Sequence, residues 1–236
     1  MQYRYYACLR LKLSFTAAMN AARAIFHAPQ SGKRLLPVLL CCCILWASGC
    51  GSVLNPGPPP VRLQLSPPMP ERMAERPLER QIVVAMPVAG RAIDADTIAL
   101  VFHGREVRIL ADARWTGAVP YIVQRSLIAA LESTNALSGV MDESAGIASD
   151  ARLLSEIRQF SLHYADERTP PTAVFAATFR LLNLSNGRIM GMRDVDIRVP
   201  ADGRDNAALA RAMEIALGRG LAELAPWTIE EMRKLR

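Results

Sequence analysis

No cysteine follows Cys50 in this chain of 236 residues, and no aspartate or glutamate precedes it. The first absence excludes a disulfide-stapled fold and a cysteine-ligated zinc site downstream. The second leaves Arg4, Arg10, Lys12, Arg23, Lys33 and Arg34 to supply the whole net charge of +6. From Cys50 onward, 22 basic side chains balance 22 acidic ones. A nucleic-acid binder would carry its Lys/Arg excess on that folded part, so the charge distribution argues against this class. The chain reads as two objects joined at Cys50.

Lys33-Arg34 precedes the 13-residue apolar run Leu35–Ala47. A membrane-spanning helix needs roughly 20 apolar residues, so this run suits the h-region of an export signal. Pro37 also disfavours a stable helix there. The run ends in Ala47-Ser48-Gly49-Cys50, similar to a bacterial lipobox. Small residues let a peptidase grip the backbone between Gly49 and Cys50, and Cys50 supplies the thiol that a lipid transferase needs. Ala47 stands where leucine is more usual. An ordinary secretory signal and a short anchor helix are the competing readings. Met19 begins a more typical signal, which makes it a candidate true start. Gly51, in place of aspartate, favours the outer membrane by analogy with bacterial sorting rules.

These signals divide the chain into a signal peptide (1–49), a lipid-anchored tether (50–80) and one domain (81–236). Eight prolines between Pro56 and Pro77 make the tether a semi-rigid spacer, interrupted by a short alternating strand at Val61–Leu65. Ile82–Pro87 reads as a buried strand. Ile98–Phe102 and Glu106–Leu110 flank a glycine turn at His103-Gly104-Arg105. Gly117–Ser133 has a helical stripe of Val123, Leu127, Ala130 and Leu131, with Gln124, Arg125 and Glu132 off it. Leu153–Tyr164 reads as a strand. Thr172–Leu184 and Arg188–Val199 form a hairpin around Asn186-Gly187, whose sequence suits a type I′ turn. Asp205 caps a helix from Asn206 to Ala225. Pro226 is expected to end it, and Thr228-Ile229-Glu230-Glu231 to cap a short last helix. The expected fold is α/β, with a mixed central sheet and helices on both faces.

Little catalytic chemistry is present. There is no phosphate-loop signature and no nucleophile elbow. The exported part holds two histidines, His103 and His163, which read as surface or packing residues. A hydrolase using either one is the outlying reading. Asp194 and Asp196 alternate with Val195 and Ile197, which marks a solvated strand face, and no loop offers calcium-binding spacing. No metal or other cofactor is expected. Gly218 and Gly220 inside a helical stripe suggest close packing. Trp115 either caps the core or, with Arg114 beside it, anchors a partner interface.

The order of these features resembles the ABC-type transport auxiliary lipoproteins of the paraquat-inducible (PqiC-like) type. The resemblance is carried by Cys50, Leu63-Gln64-Leu65-Ser66-Pro67, Ile82–Pro87, the pair Ile98–Leu110 leading to Arg114-Trp115, the helix, the hairpin and the Ala/Leu-rich last helix. It departs at Phe102-His103, where the family often has an aromatic-Arg step. The resemblance implies a three-layer α/β sandwich without enzymatic activity. It also implies an outer-membrane docking component, facing the periplasm, for the MCE-domain protein of an ABC lipid transporter. A structural or regulatory lipoprotein serving another envelope machine, such as a cell-wall synthase, shares every feature except the partner. Whether the domain forms a homo-oligomer stays open.

Overall fold

The structure, a computed structural model, describes residues 58–235. The signal and Cys50 therefore lie outside the described residues. The chain order is β1 (Val61–Leu63), β2 (Leu78–Val84), β3 (Val88–Ala89), β4 (Thr97–Phe102), β5 (Glu106–Trp115), α1 (Val119–Ser133), β6 (Leu137–Asp142), β7 (Ala151–Tyr164), β8 (Thr172–Asn183), β9 (Ile189–Pro200) and α2 (Asn206–Arg233). The α/β class and the large mixed sheet are as expected.

The 14-residue strand β7 is the spine of that sheet. One of its edges is shared in turn by three parallel strands: β2 at Ala151–Leu153, β3 at Glu156–Ile157 and β4 at Ser161–Tyr164. Its other edge carries β8 along its whole length, and β9 follows β8. Beyond β4 lie β5 and then β1; beyond β2 lies β6. The sequence patterns do not show β6, which pairs parallel with β2.

Both helices pack on one face of the sheet and against each other, which corrects the expectation of helices on both faces. Their stripes meet Ile82, Leu100, Leu153, Phe160, Leu162, Phe175 and Phe179 in a single buried cluster. Gly220 of α2 lies against the Phe175 ring, where an added Cβ would stand 2.6 Å from it. On the opposite face, β8 presents the small residues Val174, Ala176 and Thr178, all buried. Beside them, the ion pairs Arg158–Asp194 and Arg198–Asp196 reach over from the neighbouring strands. Long charged side chains cover small ones there, so no helix is needed.

Three local expectations change. Pro226 does not stop α2, which runs through it to Arg233. Thr228 forms no cap; its hydroxyl donates to the Leu224 carbonyl at 3.0 Å, one turn back. The β8–β9 loop is longer than a type I′ turn: Gly187 donates to the Asn183 carbonyl, and only Gly187 has positive φ. The pair of positive φ angles falls instead at His103 and Gly104 between β4 and β5. A type I′ turn needs that pair.

The largest correction concerns the spacer. Residues 63–78 form a strap bound to the domain. Leu63 accepts from the Thr116 amide at 3.0 Å, and the Ser66 amide donates to Glu214 Oε1 at 2.9 Å. Ser133 donates to the Pro70 carbonyl at 3.0 Å, and Met73 donates to Thr134 at 2.8 Å. Proline composition marks extended backbone, and extended backbone can either be free or lie docked along helices.

Candidate functional site

The Arg114-Trp115 step sits where β5 bends into α1. Trp115 is 1% exposed and meets Phe160 edge-to-face, with ring centroids 6.0 Å apart. It is therefore a core pin, and its ring offers nothing to a partner. The side chain thus occupies the core-packing position, one of its two expected roles. Its backbone is held from both sides: its amide donates to Asp96 at 2.8 Å, and its carbonyl accepts from Arg62 at 3.1 Å. Arg62 also pairs with Asp96 at 2.7 Å, which ties β1 to this corner. Arg114 turns back along its own strand. Its Nη1 donates to the Leu110 carbonyl at 2.6 Å and the Ala113 carbonyl at 3.0 Å.

The two histidines stay apart in role. His103 occupies the exposed β4–β5 turn. His163 lies half-buried on β7, its Nε2 3.0 Å from the Ser161 hydroxyl. Burial, with Arg198 nearby, lowers the His163 pKa from its ordinary 6.5; Asp196 opposes this weakly. No carboxylate hydrogen-bonds the His163 ring among the described residues, so nothing there orients it as a catalytic base would be oriented. Asp194 is occupied by Thr178 at 2.6 Å and Arg158 at 2.9 Å. Those donors hold its carboxyl below the usual range. Among the described residues, no three metal-type side chains converge, and no helix is long and apolar enough to cross a membrane.

What the surface offers is shape and exposed apolar side chains. A groove of about 450 Å³ runs between the strap and α1, lined by Leu65, Pro67, Met69, Tyr121, Ile122 and Arg125. More prominent is β5. From Glu106 to Asp112 every residue but Leu110 is exposed. On its helix side, Arg108 lies over the Phe102 ring at 4.3 Å and pairs with Glu106 and Glu167. Its hydrogen bonds hold the Glu106 carboxyl below its usual value. On the other side Val107 and Ile109 are 57% and 55% exposed. Reading the sequence misses these two. Alternation in Glu-Val-Arg-Ile-Leu suggests apolar residues facing inward, but here the polar parity lies over the helix-side rings.

Comparison with known proteins agrees with this architecture. A family described as the ABC-type transport auxiliary lipoprotein component matches residues 63–225. A crystal structure of a protein from Xanthomonas campestris is similar at 25% identity and a TM-score of 0.68, covering 74% of this chain and 98% of that one. The structure of an uncharacterised protein shares the fold at 14% identity and a TM-score of 0.56, covering 72% of this chain and 99% of the other. No curated protein matches significantly. The strap, strands β2 to β9 and most of α2 all fall inside the matched span, and the chain belongs to the ABC-type transport auxiliary lipoprotein component family.

Proposed function

We propose that this protein is a non-enzymatic docking component of an ABC lipid transporter, anchored through Cys50 to the outer membrane and facing the periplasm. Its partner is the periplasmic MCE-domain protein of that system. The observation that carries this reading is the family match from the strap to α2. The lipobox-like Ala47-Ser48-Gly49-Cys50 and the following Gly51 support the anchor and its membrane. The charge-balanced domain, with ion pairs closing the helix-free sheet face, suits a rigid body recognised by shape.

The test is crosslinking in cells followed by purification of the tagged lipoprotein. An MCE-domain protein should be recovered with it, and deletion should weaken the outer-membrane barrier. Recovery of a cell-wall synthase instead, with no MCE protein, would move the chain to the alternative envelope role.

A further inference from the structure

We propose that the outer edge of β5, from Glu106 to Asp112, is a strand-addition site for an extended segment of a different protein. The proposal rests on the docking reading and names the surface through which docking occurs. Among the described residues no strand pairs with this edge: β4 takes the inner side, and β1 reaches only Ala113–Trp115. A row of unpaired backbone groups beside exposed apolar side chains is a template for another strand. Val107 and Ile109 stand on the helix-free face, with half-buried Val101 directly across from Val107 on β4. Together they give an incoming strand an apolar strip to cover. Arg114 closes the Leu110 carbonyl and so marks where the bend toward β1 begins.

Two other occupants are disfavoured. Among the described residues, the segment leading into β1 does not suit the edge. Continuing the β1–β5 register upstream would set Pro58, Pro59 and Pro60 opposite Leu110, Ala111 and Asp112. Proline has no N–H to give a ladder, and β1 starts just after these three. A second copy is disfavoured by charge. Antiparallel pairing of two β5 edges across the whole window sets Glu106 against Asp112 at both ends. Like charges directly opposite each other destabilise a strand pair. The same acids favour a segment with lysine or arginine at its ends, apolar residues facing Val107 and Ile109, and an acid facing Arg108.

The probe is a capped synthetic peptide, Lys-Val-Thr-Val-Glu-Val-Lys, added at about 1 mM to the full mature lipoprotein in nanodiscs. Hydrogen exchange across 106–112 should slow by about tenfold. The charge-reversed peptide Glu-Val-Thr-Val-Lys-Val-Glu should do markedly less, and a Val107→Lys/Ile109→Lys protein, checked as folded by circular dichroism, should lose the effect. No slowing, or equal slowing by both peptides, would overturn the site. Slowing that grows with protein concentration without peptide would reassign the edge to a second copy. Recovery of the MCE-domain protein by the wild type and the double variant alike would sink the edge while keeping the docking reading.

Discussion

The Pro68 ring occupies the space that a side chain on Gly218 would need. This contact joins the strap to the middle of α2, 150 residues away in sequence. A methyl group at 218 must push the strap outward, at an overpacking cost of about 1–3 kcal/mol. Alanine returns up to about 1 kcal/mol of helix propensity. Gly218→Ala should therefore lower global stability by about 0–2 kcal/mol while raising hydrogen exchange across 66–73. Gly220→Ala meets the fully buried Phe175 instead, which cannot move aside. Denaturant titration should show Gly220→Ala to be the more destabilising of the two, with no selective loosening of the strap.

Gln124 is 5% exposed, and its Nε2 donates to the Val84 carbonyl at 3.0 Å, fastening α1 to the end of β2. Gln124→Leu keeps the volume and strands that carbonyl. A buried acceptor without a partner costs about 1–3 kcal/mol. The loss should appear in the unfolding midpoint in urea with the slope unchanged. An unaffected midpoint would mean that the carbonyl finds water.

Gln124 also shows where reading the sequence stops. Its helix was visible from the stripe Val123, Leu127 and Leu131. A glutamine beside the stripe looks solvent-facing, because its acceptor lies on a strand 40 positions earlier. The strands β7, β8 and β9 were legible because alternation and turn glycines are local signals. The strap was not, because its partners Glu214 and Gly218 are distant and proline says only that the backbone is extended. Trp115 carried two readings that composition could not separate; only its contact with Phe160 decides between them. The exposed Val107 and Ile109 were hidden for a similar reason: the parity on which Arg108 lies is set by Phe102 stacked on Tyr164, a residue of the distant strand β7. Pro226 shows the limit of a local stop signal, since Ile229 and Met232 beyond it still find the core and hold the helix on course.

His163 makes stability depend on mild acid. Its pKa is lowered in the folded chain, mainly by burial, so the unfolded chain binds the proton more readily. Stability then rises with pH across this range. The contribution is complete above the ordinary value of 6.5 and shrinks as the pH falls below it. Between about pH 7 and pH 5 the melting temperature of the wild type should fall more than that of His163→Gln. Equal slopes would mean that the ring is hydrated in solution.

Binding of the strap to the domain shortens the link to the proposed anchor. Only residues 51–60 separate Cys50 from β1. Ten fully extended residues reach at most about 35 Å, so lipidation at Cys50 would hold β1 and the neighbouring β5 edge close to the bilayer. A spacer running to residue 80 would have allowed about three times that distance. Inserting a Gly/Ser segment of about 20 residues after Gly57 should leave the melting temperature unchanged and impair the barrier function in cells. The same insertion after Met69 interrupts the strap between Pro68 and Pro70 and should lower the melting temperature itself. Cys50→Ser should abolish labelling by a radioactive fatty acid and release the protein from membranes with its fold intact. Together the three variants separate anchoring, reach and folding. Normal barrier function with the insertion after Gly57 would show that reach is not limiting, and persistent labelling of Cys50→Ser would remove the anchor from which the distance is counted.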